Sequence, residues 1–250
     1  MEKLNDNIEY RRLEHRLKER FVKAMAAYHL IEDDDKILVG LSGGKDSLLL
    51  TELLAKRALI QHPRFSVEAI HVRMENIHYE SDTSYLQQFC DNLGVKLHVK
   101  TTHFEVDGTS RKQKQPCFLC SWNRRKQLFN LAQELGCNKI ALGHHQDDII
   151  HTALMNLTFQ AHFSTMPVRL QMRKMPLIII RPLCLIPESD IKNYAEMQGY
   201  KKQQKLCPYE TGSHRTDIKQ IYESLEKLNP EIRYNIWGAL EADNKLIEES

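Results

Sequence analysis

No apolar run in this chain approaches the roughly 20 residues that a membrane-spanning helix needs. Its opening stretch, MEKLNDNIEY, also lacks the apolar segment of a secretory leader. The expectation is a cytoplasmic protein with no membrane partner. A dominant charge is missing as well. Lys plus Arg number 35 against 33 Asp plus Glu, a formal net charge of +2. Attraction to a polyanion therefore cannot come from the molecule as a whole and must come from local clusters. Repeats, low-complexity tracts and linkers are absent, which leaves no ground for a second independent domain. A disulfide framework is excluded too. The six cysteines, Cys90, Cys117, Cys120, Cys137, Cys184 and Cys207, belong to a chain long enough to bury a core without covalent support, so metal, redox or plain core roles remain.

What is present centres on Lys36–Leu50, KILVGLSGGKDSLLL. Ile37, Leu38 and Val39 read as a short buried strand, Gly40–Gly44 as a glycine turn and Leu48-Leu49-Leu50 as the start of a helix. Glycines let the backbone approach a bound group, and N–H groups at a helix start favour an anion. Lys45 adds a positive charge and Ser42 and Ser47 add hydroxyls, so phosphate is the expected anion. The usual P-loop is ruled out, since it requires Ser or Thr directly after Gly-Lys and Asp46 stands there. Ser42-Gly43-Gly44-Lys45-Asp46-Ser47 resembles the SGGxDS signature of the PP-loop pyrophosphatases. That resemblance implies ATP, with attack of an oxygen on the α-phosphate and release of pyrophosphate.

The rest of the chain alternates strands and helices. An amphipathic helix over Asn7–Ile31 places Tyr10, Leu13, Leu17, Phe21, Met25 and Tyr28 on one face. Its interleaved arginines either form a solvated face or touch RNA. Strands are expected at Phe65–Val72, Val95–Lys100, Lys139–Gly143 and Ile178–Ile180. Helices are expected at Leu48–Leu59, Ser84–Leu93, Cys120–Leu135, Ile149–Phe159, from Pro187 to near Gly199, Lys219–Glu226 and Pro230–Leu246, with a loop over Thr101–Gln115. This spacing predicts an α/β fold, a parallel sheet with helices on both faces and ligands at the strand carboxyl ends. The segments expected are a helical extension over 1–33, a nucleotide-binding domain over 34–218 and a helical tail over 219–250.

Two further motifs carry chemistry. Cys117-Phe118-Leu119-Cys120 has the spacing of zinc sites, iron–sulfur sites and redox pairs. A helix start with Lys112, Lys114, Arg124 and Arg125 nearby favours thiolates. Cys207, followed by Pro208, is the natural third sulfur, whereas Cys90, Cys137 and Cys184 read as small core residues. Gly143-His144-His145-Gln146-Asp147-Asp148 puts two carboxylates at a strand end, where they could hold Mg²⁺ or position a base. A plain helix cap is the competing account. Basic residues cluster around the cysteine pair (Arg111 to Lys126) and again between Arg169 and Lys205, enough for a local phosphate-binding surface.

Taken in order, SGGKDS, CFLC with Arg124-Arg125, GHHQDD, IIRPL (Ile179–Leu183) and a late Cys207 resemble the tRNA 2-thiocytidine synthetase family. The resemblance implies an ATP-dependent tRNA thiolase acting on cytidine 32 of the anticodon loop. It further implies a 4Fe–4S cluster on Cys117, Cys120 and Cys207, with one iron left without a protein ligand. ATP and Mg²⁺ would bind at Ser42, Gly43, Gly44, Lys45, Asp46 and Ser47, with His71, Arg73 and Gly143 completing the nucleotide site. Asp46, Arg124, Asp147 and Asp148 are the expected catalytic residues. Partners would be tRNA, a sulfur donor such as a cysteine desulfurase or sulfide, and a second copy of the chain. The sequence departs from the family where Cys207-Pro208-Tyr209-Glu210 carries one cysteine in place of a second Cys-x-x-Cys. Three other readings stay open: a PP-loop ligase delivering a nitrogen nucleophile, a non-catalytic zinc-stabilised RNA-binding protein, and a thiolase whose cysteines act as persulfide and disulfide partners without a cluster.

Overall fold

The computed structural model describes residues 2–75, 82–103, 116–201 and 214–249. Most of the loop expected over Thr101–Gln115, and the segment with Cys207, lie outside them. The elements follow in the order α1 (Glu2–Ala27), β1 (Asp35–Gly40), α2 (Lys45–Ala58), β2 (Phe65–Met74), α3 (Thr83–Asn92), β3 (Lys96–Thr102), α4 (Pro116–Glu134) and β4 (Lys139–Ala141). After these come α5 (Gln146–Gln160), β5 (Arg169–Gln171), β6 (Ile178–Ile180), α6 (Glu188–Met197), α7 (His214–Leu228), α8 (Ile232–Ala242) and β7 (Ile247–Glu248). The chain divides into two compact units, one of Ile31–Ala141 with Tyr200–Thr211, the other of Met1–Leu30, Leu142–Gly199 and Gly212–Ser250.

The first unit holds a parallel sheet in the order β3-β2-β1-β4, with Val39 opposite Ala69 and Ala141, and Ala69 opposite Leu97. Two crossovers step the same way, from β1 to β2 to β3, and the third returns past β1 to β4. Right-handed connections then put α2 and α3 on one face and α4 on the other. The sequence makes this possible because Ile37, Leu38 and Val39 are all fully buried, as a strand covered on both sides requires. On the α2/α3 face, Leu48, Ala55, Leu86 and Cys90 pack with Leu41, Ala69 and Val95. At the opposite end of the sheet, buried Lys139 pairs with buried Asp35 at 2.7 Å. The side-chain amide of Asn138 donates to the same carboxylate at 2.7 Å. This joins the start of β4 to the start of β1, far from the turn that follows Gly40.

In the second unit, α1 buries Leu13, Leu17, Phe21 and Met25 and half-buries Tyr10; it ends at Ala27, short of the expected Ile31, and buried Tyr28 follows in the turn. Arg16 forks onto Asp190 with bonds of 3.0 and 2.8 Å, and Arg20 adds a third of 2.9 Å. These two arginines therefore tie α1 to α6. Tyr28 and Glu241 hydrogen-bond at 2.5 Å, and the buried indole of Trp237 donates to the Tyr28 hydroxyl at 3.0 Å. The strands here depart from the expected pattern. β5 runs antiparallel to β6 and parallel to β7. Neither β5 (Arg-Leu-Gln) nor β7 (Ile-Glu) is foreseen, because each is short and lacks the apolar run that marks the equally short β6. The fold class is α/β with mostly parallel strands. Among the described residues no helix is long and apolar enough to cross a membrane.

Candidate active site

The glycine turn forms because β1 ends at Gly40 and α2 begins at Lys45, three residues earlier than the apolar pattern indicates. Gly43 sits at φ +84°, in the left-handed region that side chains disfavour. Gly44 then returns to extended backbone as the helix N-cap. The two serines stitch the turn together. Ser47 Oγ lies 3.1 Å from Ser42 Oγ, donates to the Gly44 carbonyl at 2.9 Å and accepts from the Ser42 amide at 3.2 Å. Lys45 Nζ bonds Asp46 Oδ1 at 2.9 Å. The first turn of a helix presents N–H groups that no carbonyl of that helix satisfies, and with the lysine they have the chemistry that suits an anion.

His71 holds the entrance to this turn. It is 2% exposed, and its Nδ1 lies 2.8 Å from the Leu41 carbonyl oxygen. A carbonyl only accepts, so Nδ1 carries the proton. Burial pushes the His71 pKa down, the bond to Leu41 opposes this, and the nearby charges of Arg124 and Arg73 add to the lowering. The ring is neutral at pH 7. Arg124, on α4, is thus within electrostatic reach of the strand ends that carry the turn. Cys117 and Cys120 open the same helix, one exposed and the other half-buried, three residues apart and so on neighbouring positions of its face. Soft thiolates in that arrangement suit an iron–sulfur cluster or zinc. Cys90, Cys137 and Cys184 are buried, and burial raises their thiols, Cys90 to about 12. They are core residues.

The Gly143–Asp148 motif lies in the second unit, where both carboxylates are tied into helix termini. His145 is the N-cap of α5, and its Nδ1 accepts from the Asp148 amide at 3.4 Å while Asp148 Oδ2 accepts from the His145 amide at 3.1 Å. That reciprocal pair is a capping box. Asp147 Oδ2 accepts from the Glu188 amide at 2.7 Å, and its Oδ1 accepts from Arg233 Nη2 at 2.8 Å. Burial works to raise the Asp147 pKa, but Arg233 and the Glu188 amide hold it below the usual carboxylate range. Beside this pair opens a cavity of about 730 Å³ with Lys219, Tyr222 and Glu188 in its wall. Arg181, buried and lowered by that burial to about 10, donates to His144 Nδ1 at 3.2 Å and to the Pro167 carbonyl.

Sequence patterns bring Ser42–Ser47, His71, Arg73, Arg124, Cys117 and Cys120 into one unit, and Gly143, Asp147 and Asp148 into the other. Cys207 falls outside the described residues. Two residues escape a reading by motif, Arg181 and Arg233. Arg181 stands inside IIRPL, where it could have been suspected. Arg233, 86 positions from Asp147, has no local signal. Among the described residues no three His, Cys, Asp or Glu side chains converge as a ready metal site.

Comparison with known proteins agrees with this geometry. The PP-loop domain family matches residues 10–205. The tRNA-cytidine(32) 2-sulfurtransferase of Marinomonas sp. is 32% identical over 97% of this chain and 90% of its own length. That of Janthinobacterium sp. is 34% identical over 95% and 76%. Among solved structures, the U34-tRNA thiolase NcsA from Methanococcus maripaludis, with its [4Fe-4S] cluster, aligns with a TM-score of 0.74 at 28% identity, over 94% of this chain and 80% of that one. A strand–glycine turn–helix cradle, a cysteine pair opening a later helix and this kinship agree: the chain belongs to the PP-loop family, in the group that contains the tRNA-cytidine(32) 2-sulfurtransferases.

Proposed function

We propose that this chain is an ATP-dependent tRNA thiolase. It adenylates the C2 oxygen of a tRNA pyrimidine, cytidine 32 by the kinship above, releasing pyrophosphate. Sulfur then replaces that oxygen and AMP leaves, giving 2-thiocytidine. The observation that carries this reading is that the Ser42–Ser47 turn and the Cys117–Cys120 helix start belong to one compact unit, with His71 under the influence of Arg124.

The residues divide the work as follows. Backbone N–H groups of the turn and Lys45 hold the phosphates of ATP, and Asp46 is the carboxylate we assign to its Mg²⁺. Arg73, exposed at the end of β2, flanks the adenine. His71 is a positioning residue: neutral and bonded to Leu41, it fixes where the turn begins. Arg124 faces the charge that develops as the oxygen attacks phosphorus. In the other unit, Asp148 retains a carboxylate oxygen that the capping box does not use, so of the two acids it is the candidate for contact with substrate. A 4Fe–4S cluster on Cys117, Cys120 and Cys207 would supply the sulfur, drawn from sulfide or a cysteine desulfurase. Mass analysis of tRNA nucleosides from cells lacking the protein tests the reading. Loss of 2-thiocytidine is the expected result, and an unchanged nucleoside profile overturns it.

A further inference from the structure

The start of α4 presents an exposed stripe of which the proposed chemistry uses only Cys117. Residues 117, 118, 121, 122, 125 and 126 are all exposed, the spacing of one helix face. That face carries two large aromatic rings, Phe118 at 46% exposure and Trp122 at 49%. Four aromatics among the described residues are exposed to this degree, the others being Phe159 and Tyr234, and this pair alone lies one turn apart on a single helix. Arg125 and Lys126 follow directly, with Lys126 Nζ 5.4 Å from the centre of the Trp122 ring. From Pro116 to Gln133 the helix holds no acidic residue. Ser121 Oγ bonds back to the carbonyls of Cys117 and Phe118 at 2.9 and 3.0 Å, so its hydroxyl proton is directed at the helix and not outward.

Two exposed rings beside two cations, on a helix stretch without acidic residues, make a surface with the chemistry of single-stranded RNA. Unpaired bases stack on aromatic faces, while the phosphates that link them pair with Arg and Lys. Resting on the proposed tRNA thiolation, we propose that Phe118 and Trp122 form the platform on which splayed-out bases of the tRNA loop stack. Arg125 and Lys126 hold the adjoining phosphates. The platform starts at Cys117 itself, so a nucleotide stacked on Phe118 lies within a helical turn of the cysteine pair.

The test uses the full chain and an unmodified RNA anticodon stem-loop, measured by mobility shift, with ATP affinity as the check on folding. Trp122→Ala is expected to weaken stem-loop binding roughly tenfold and to leave ATP affinity unchanged. Trp122→Phe, which keeps a stacking face, retains most of the binding. Arg125→Ala lowers the salt dependence instead, by about one unit of slope. Unaltered affinity in both Trp122→Ala and the Phe118→Ala/Trp122→Ala double variant overturns the proposal. So does a change of sedimentation mass in the double variant with RNA affinity intact, which would make the face a contact between two copies of the chain. If the wild type binds the stem-loop through Trp122 but forms no thiolated nucleoside, the platform stands and the thiolation reading falls.

Discussion

Lys45 and His71 show how single residues divide between contact and support. Lys45 is paired with Asp46 on the partly exposed rim of the turn, so Lys45→Ala should weaken ATP binding about tenfold, read by calorimetry, with the unfolding free energy unchanged to within about 0.5 kcal/mol. The same ATP affinity in the variant would mean that the turn does not hold phosphate. Histidine burial makes a different prediction. His71 and His151 are both lowered chiefly by burial, so near pH 6.5 the unfolded chain takes up protons that the native state resists. Their contribution is complete above about pH 6.5 and is lost as pH falls towards the native pKa values. Urea midpoints should therefore drop between pH 7.5 and 5.5. His151→Phe keeps a ring against Tyr222, which the histidine meets at 5.1 Å, and should shrink that drop. At this scale the sequence was informative wherever the signal was local. Gly43, Lys45 and the serines declare themselves within six residues. Asp35 did not: it looks like one acid in a turn, yet its partner Lys139 lies more than a hundred positions away, and burial of both is a tertiary fact.

Helix termini decide how the Gly143–Asp148 motif is used. Asp147 joins the start of α5 to the start of α6 and to Arg233 on α8. Replacing it with Ala leaves Arg233 with Glu226 as its carboxylate partner at 3.2 Å but removes the acceptor of the Glu188 amide, and should cost about 1–2 kcal/mol of stability, measured by denaturant titration without ATP. A variant that loses activity but no stability would instead make Asp147 a ligand. The sequence reads as two adjacent carboxylates and leaves open which is the cap. The structure answers with His145 as the cap, Asp148 as its reciprocal partner and Asp147 as a clasp. No spacing rule reveals this, because Asp147 depends on Arg233 from the far end of the chain. The helices themselves were legible, and α1 buries four of the residues its period marks, Leu13, Leu17, Phe21 and Met25. What failed were β5 and β7, whose few residues carry no apolar run.

For the whole molecule, thiols and metal report on the proposed division of labour. Cys117→Ser should abolish iron binding in an anaerobically reconstituted protein and leave ATP affinity within about twofold. Cys184→Ala, at a fully buried site, should leave iron content unaltered. Loss of iron in the second variant would mean that the cluster ligands are misassigned.

The two tryptophans make the molecule its own optical reporter. Trp237, 7% exposed and bonded to Tyr28, belongs to the unit that contains α1, and Trp122, half-exposed, to the unit that contains the glycine turn. One buried indole and one in water emit at separate wavelengths, and a soluble quencher reaches the second far more easily. A single unfolding titration read at both ends of the spectrum thus follows each unit separately. Coincident curves would mean that the two melt as one cooperative body, and separated curves that they do not.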